Sequence, residues 1–144
     1  NETASELRRA SMCPCPEGDS PTTLRPFEAL ASGCVPFFLV EKEVIAYDLP
    51  FPSLIDWDSV ALFARSMQDI GGCKEGLRET FLALDALGGP KASPEVSEHL
   101  EGMRRLGREA FRLHFSYLRN PRGVVSSVLY EARELRRRGF GHNR

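Results

Sequence analysis

Residues 11–36 read SMCPCPEGDSPTTLRPFEALASGCVP, and their order decides the fold. A short apolar run gives way to a loop of Gly, Asp, Ser, Pro and Thr, then to a helix start carrying Arg25 and Glu28. A break at Gly33 leads into CVPFFLV. This succession predicts a βαβ unit with a polar loop at the mouth of its helix. Such a mouth favours anions, because the first backbone N–H groups of a helix have no partner within it. Pro14 and Pro16 make Ser11–Cys15 a short strand or its exit, not a long central strand. Glu17-Gly18-Asp19-Ser20-Pro21 is a run of turn-forming residues. Thr22 or Thr23 is the expected N-cap, and Pro26 falls in the first turn, where its missing N–H costs nothing.

Leu24, Phe27, Leu30 and Ala31 recur at helical spacing and form the expected apolar face, with Arg25, Glu28 and Ser32 on the other side. Gly33 is the expected C-terminal stop. Cys34–Val40, an unbroken apolar, aromatic and β-branched run, suits a strand buried on both faces of a parallel sheet. Further out, residues 2–9 fit a helix, and Glu41–Asp48 fits a helical turn over the sheet edge. Leu49–Pro52 must be extended or turning, because residues before proline avoid the helical region. Ile55–Asp58 leads into Val60–Ala64, read as a second buried strand of an open α/β sheet.

Beyond residue 74 the pattern is helical. Lys74–Leu87 is one expected helix, stopped by Gly88-Gly89-Pro90. Ser93-Pro94-Glu95 opens another with a cap residue and Pro at the first helical position. Along it Val96, Leu100, Met103, Leu106, Ala110, Leu113 and Tyr117 form a stripe read as core packing. Asn120-Pro121-Arg122-Gly123 breaks the pattern, and Val124, Val125, Val128, Leu129, Ala132 and Leu135 mark a last amphipathic helix. The whole reads as one domain, residues 1–144, of class α/β with a helical C-terminal region.

The 144 residues, 42% hydrophobic and 27% charged, suffice for a single buried core. A formal net charge of −1 argues against nucleic acid as a partner. The local basic run Arg136–Arg138 reads as a solvated helix end. No apolar run approaches the roughly 18 residues that span a bilayer, and NETASELRRA lacks the apolar centre of a signal peptide, so the chain as given is expected to be soluble. Asn1-Glu2-Thr3 fits the glycosylation acceptor pattern but is too short a match to carry weight. Cys13, Cys15, Cys34 and Cys73 allow three pairings, among which the sequence does not choose. Cys13 and Cys34 fit buried small hydrophobes, and Cys73 an exposed loop. The tight CxC spacing and scattered histidines predict no metal site.

A phosphate-bearing ligand needs N–H donors, small side chains that permit close approach, and a cation. Gly18, Asp19, Ser20, Thr22, Thr23 and Arg25 supply these within eight positions. A charge-assisted hydrogen bond from Arg25 is worth about 1.5–3 kcal/mol. Glu28, one turn on, is placed to accept from vicinal hydroxyls. Spacing alone favours an ordinary i, i+3 surface ion pair between Arg25 and Glu28.

Several motifs in order point further. GDSPTTLRPFEALASGCVPFFLVEKE, followed by LPFPSLIDWDSVALF, resembles the C-terminal signature of exostosin-type glycosyltransferases, especially the plant cell-wall branch. The resemblance spans about residues 11–64, and FRLHFSY at 111–117 is similar to the family's arginine- and aromatic-rich helix end. It implies a Rossmann-like three-layer domain with a parallel sheet, corresponding to the C-terminal half of a GT-B glycosyltransferase. By position, Arg25 would meet a diphosphate, Glu28 a ribose, and the Gly18–Thr23 loop the phosphates. The implied ligand is a UDP-sugar, with no cofactor or bound metal, and the implied reaction is inverting transfer to a glycan acceptor. The implied compartment is the Golgi lumen, as part of a type II membrane protein. The family's N-terminal domain and anchor are absent from these residues. The loop holds Asp19 and no clustered arginines, unlike the animal heparan-sulfate polymerases. The resemblance names no catalytic base; Asp19, Asp56 and Asp58 read as turn-forming or capping residues. The alternatives are a non-catalytic nucleotide-sugar-binding domain and a degenerate structural domain.

Overall fold

The computed structural model describes residues 2–16, 23–64 and 93–139. Its elements are α1 (Glu2–Arg9), β1 (Met12–Cys15), α2 (Arg25–Ser32), β2 (Val35–Phe38), α3 (Lys42–Ile45), a 3-10 turn (Trp57–Ser59), β3 (Leu62–Phe63), α4 (Pro94–Ala110), a π-helical turn (Phe111–Phe115) and α5 (Pro121–Arg137). The expected helix Lys74–Leu87, and Cys73, lie outside the described residues.

The three strands are parallel, in the order β1-β2-β3. β1 and β2 pair from Met12 opposite Val35 to Cys15 opposite Phe38, with α2 as the crossover that a parallel pair requires. β2 is central and all four of its residues are buried, as its uninterrupted apolar run predicts. Successive strand side chains point to opposite faces. On one face Met12, Val35 and Leu62 pack with Val96, Leu100 and Met103 of α4. On the other, Cys15 and Phe38 pack with Leu30 of α2.

Gly33 ends α2 at φ 76°, and the amides of Gly33 and Cys34 donate to Leu30 and Ala29. The positive φ is what demands glycine here; a Cβ would also meet the Arg108 guanidinium at 2.3 Å, a side-chain end that could move aside.

Several expectations are corrected. Of the expected apolar face of α2, Leu30 is buried and Phe27 half-buried, but Leu24 and Ala31 are exposed and Ala29 turns inward in their place. The N-cap of α2 is Leu24, not Thr22 or Thr23; Thr23 acts one step earlier, its hydroxyl accepting from the Arg25 amide at 3.4 Å. Val60–Ala64 is not a buried strand. Asp56 caps the 3-10 turn, and the amides of Val60 and Ala61 donate back to the Trp57 carbonyl, so the strand is confined to Leu62 and Phe63, half-buried at the sheet edge, with the Ala64 amide donating to the Phe38 carbonyl just beyond. Cys13 and Cys34 are buried but bonded to each other, their Cα atoms 5.9 Å apart where β1 and β2 begin. The α4 stripe stops short. Gly107 rather than Leu106 lies against α2, since a Cβ there would come 2.8 Å from Leu30, while Leu106 and Tyr117 are exposed. The π turn that follows takes more residues per turn, which rotates later side chains off the stripe.

The apolar face of the last helix is also not where the pattern places it. In α5 Val125, Val128, Leu129 and Leu135 are exposed, and the residues turned inward are Ser127 and Glu131.

Candidate functional site

In a parallel sheet with helical crossovers, ligands bind at the carboxyl ends of the strands, where loops enter the helices. Here that edge is formed by the end of β1, the first turn of α2 and the segment after β2. Of the residues read from sequence as a binding site, Gly18, Asp19, Ser20 and Thr22 lie outside the described residues. Thr23, Arg25 and Glu28 stand together at the start of α2.

Arg25 and Glu28 are both about half exposed, and the guanidinium is 3.9 Å from the carboxylate. At that separation and exposure the pair is a weak surface contact, which leaves both groups able to take other partners. The amides of the first turn are less open than the sequence suggests. The Arg25 amide donates to Thr23, Pro26 has no N–H, and the amides of Phe27 and Glu28 both donate to the Leu24 carbonyl at 3.1 Å. The polar groups that this turn leaves to outside partners are therefore side-chain ones, the Arg25 guanidinium and the Thr23 hydroxyl.

Cys15, at the end of β1, is the buried titratable group beside this edge. Burial pushes its thiol from 9.0 up to about 12, against smaller opposing effects of a hydrogen bond from the Phe37 backbone and the charge of Arg25. A thiol held so far above neutral pH stays protonated and is no nucleophile.

Beside the first turn lies an aromatic cluster assembled from three distant stretches. Phe27 meets Phe115 at 5.1 Å, and Phe115 meets Phe51 at 5.4 Å and Phe111 at 6.2 Å. Phe51 takes φ 55°, a conformation that costs a bulky residue about 1–3 kcal/mol and persists only where surrounding contacts enforce it. His114 packs against Phe51, and its Nδ1 lies 2.8 Å from Ser127 Oγ. Ser127 donates its own proton to the Gly123 carbonyl, so Nδ1–H is the donor to Ser127 and Nε2 remains an acceptor. Burial lowers the His114 pKa from the usual 6.5.

The segment 50–58 is pinned from several sides. Trp57 Nε1 donates to the Pro50 carbonyl at 3.0 Å, and the Asp58 amide donates to Asp56 Oδ1 at 3.2 Å. Lys42 pairs with Asp58. Asp56 thus has the capping role read for it, while the pairing of Asp58 with Lys42 was not read from the sequence. Glu131 of α5 accepts from both the Ser53 amide at 3.1 Å and the Ser53 hydroxyl at 2.9 Å. Sequence reasoning missed Glu131, Ser53, His114 and Ser127 as partners. Ser53 and Glu131 are 78 positions apart, and no local pattern announces a contact of that range.

Among the described residues, no three His, Cys, Asp or Glu side chains cluster so as to hold a metal ion. No described helix is long and apolar enough to cross a membrane.

Residues 1–70 match the sequence profile of the family described as Exostosin GT47 domain. A probable glucuronoxylan glucuronosyltransferase of Arabidopsis thaliana, IRX7, is 33% identical over 82 residues, which cover 56% of this chain and 17% of that protein. The probable glucuronosyltransferase GUT1 of Oryza sativa subsp. japonica is 36% identical over 58 residues, covering 40% of this chain and 13% of its own length. The probable beta-1,4-xylosyltransferase IRX10 of Arabidopsis thaliana is 34% identical over 58 residues, with the same coverage. The chain thus spans no more than 17% of the length of these relatives. No solved structure matches it significantly. The resemblance to exostosin-type glycosyltransferases of the plant cell-wall branch is carried by the N-terminal half, the part that holds the βαβ unit and the first turn of α2.

Proposed function

We propose that this chain is the nucleotide-sugar-binding part of an inverting, exostosin-type glycosyltransferase, corresponding to the C-terminal half of a GT-B enzyme. The observation that carries the reading is the pairing of Arg25 and Glu28, exposed and side by side at the carboxyl edge of a parallel sheet, within the stretch that matches the family. Arg25 meets the diphosphate of a UDP-sugar and Glu28 accepts from the ribose hydroxyls. Gly18, Asp19, Ser20, Thr22 and Thr23 supply backbone and hydroxyl donors to the phosphates.

In the reaction, an acceptor glycan hydroxyl attacks the anomeric carbon as the bond from that carbon to the phosphate oxygen breaks. UDP leaves with the electron pair, and the hydroxyl proton passes to a base. Arg25 favours the step because charge grows on the departing diphosphate, so its hydrogen bond strengthens as the bond breaks. A bound metal is not needed in this scheme, since the guanidinium and the loop donors carry the neutralisation. A separate N-terminal domain of the same protein supplies the acceptor wall. The compartment is the Golgi lumen, a reading supported by the Cys13–Cys34 disulfide, since such bonds persist in oxidising compartments.

Calorimetry with UDP tests the donor site. Binding is expected, and Arg25→Ala is expected to weaken it at least about tenfold, the loss of one charged hydrogen bond. A variant that binds like the parent removes Arg25 from the site, and no UDP binding at all returns the domain to a structural role.

A further inference from the structure

A concavity lies among residues other than Arg25 and Glu28. It is a cleft of about 490 Å³ between α3 and the segment 49–57, bordered by Lys42, Ala46, Leu49, Ser53, Asp56 and Trp57 among others. Its volume is within the range of small-molecule sites. The chemistry of its wall is divided. Ala46, Pro52 and Leu54 offer an apolar surface, while Lys42, Ser53 and Asp56 offer an ammonium, a hydroxyl and a carboxylate. That division suits a ligand with one apolar face and a polar rim, which describes a sugar ring with its C–H face and its hydroxyls. After donating to Glu131, Ser53 Oγ still has lone pairs to accept with, and Asp56 keeps one carboxylate oxygen beyond the one that accepts from Asp58.

The wall is also more firmly held than an ordinary surface loop. Glu131, itself only 7% exposed, grips Ser53 by amide and hydroxyl, Trp57 holds Pro50, and Lys42 holds Asp58. Within this frame Phe51 is kept at φ 55°. Strain enforced by several independent contacts marks a loop whose shape is specified, and a specified shape lowers the ordering cost of binding.

We propose that the cleft between α3 and the segment 49–57 is a sugar subsite, taking one pyranose unit of a glycan against Ala46, Pro52 and Leu54 with its hydroxyls toward Lys42, Ser53 and Asp56. Glu131 is its positioning residue. The proposal rests on the glycosyltransferase reading only for the choice of probe.

The test is an amide-resolved NMR titration of the full chain with xylotriose, run beside a titration with UDP. Shifts are expected at residues 42, 46 and 53–57, and Ala46→Trp, which fills the cleft, is expected to weaken xylotriose at least about tenfold while UDP binding is unchanged. Glu131→Ala is expected to weaken the sugar and Glu131→Gln, which keeps an acceptor for Ser53, to restore part of it. Absence of shifts, shifts confined to other surfaces, or shifts that survive Ala46→Trp overturn the proposal. If Ala46→Trp does not fold, Lys42→Met decides in its place, with weakened xylotriose binding supporting the subsite and unchanged binding overturning it. Failure of UDP to bind, with the sugar shifts intact, would overturn the donor site and leave this one standing.

Discussion

Two helices of this protein, α2 and α5, are both amphipathic and both open with a proline in the first turn, yet they are buried in opposite senses. In α2 the residues turned inward are apolar: Ala29 and Leu30 are essentially inaccessible, whereas Arg25 and Glu28 face water together with Leu24 and Ala31. In α5 Ser127 and Glu131 are inward, and Val125, Val128 and Leu129 are each at least 51% exposed. The difference lies in what each helix meets. α2 lies on a sheet whose facing residues are Cys15 and Phe38, which reward apolar burial. α5 meets the π turn and the segment around Ser53, which present His114 and an amide and hydroxyl in need of acceptors. An amphipathic pattern reveals that two faces exist; the surface opposite selects between them.

Substitutions on the two helices sharpen or break that contrast. The largest expected effect is at Leu30, where truncation to Ala beneath the sheet costs about 2–5 kcal/mol in chemical unfolding. Its counterpart, Leu129→Ala on the outer side of α5, is expected to change stability by less than about 0.5 kcal/mol. Equal losses at the two leucines would mean that α5 buries its apolar face after all.

Next in size is Glu131→Ala, which leaves the Ser53 amide and hydroxyl without their acceptor and costs about 1–3 kcal/mol. A loss smaller than that of Leu129→Ala would remove the polar anchoring of α5.

The smallest effect concerns pH. Burial holds the His114 pKa below its unfolded value of 6.5, so the folded chain binds fewer protons than the unfolded one. Stability from this group is therefore complete above pH 6.5 and declines as the pH falls through the lower folded value. Thermal melts are expected to show a shallow loss on acidification through this window, and His114→Asn to flatten it. An unchanged slope in the variant would assign the pH dependence to other groups.

The βαβ unit was legible because each of its signals is local. Gly33 stops α2 through its own backbone conformation, and the unbroken run through β2 declares burial on both faces without reference to the rest of the chain. Arg25 and Glu28 were legible for the same reason, lying one turn apart on one helix. The shortening of β3 was hidden in a contest between a 3-10 turn capped by Asp56 and the ladder for the amides of Val60 and Ala61. The disulfide was hidden because pairing depends on which strands become neighbours: β1 beside β2 brings Cys13 to Cys34 and leaves Cys15 a free, buried thiol. The Phe27, Phe51, Phe111 and Phe115 cluster and the Glu131 grip on Ser53 join residues from stretches that no periodicity connects.

The sequence by itself determined the parallel βαβ unit, the glycine stop, the exposed Arg25 and Glu28 on one helical turn, and the kinship of residues 1–70. All of these follow from contacts within a few residues or from motifs in linear order. The tertiary structure alone decided which cysteines bond, which face of α5 turns inward and how the segment 49–57 is held open as a cleft. Each of those outcomes is set by the chemistry of a surface contributed by a distant part of the chain, and a side chain's partner across space is not written in its neighbours along the sequence.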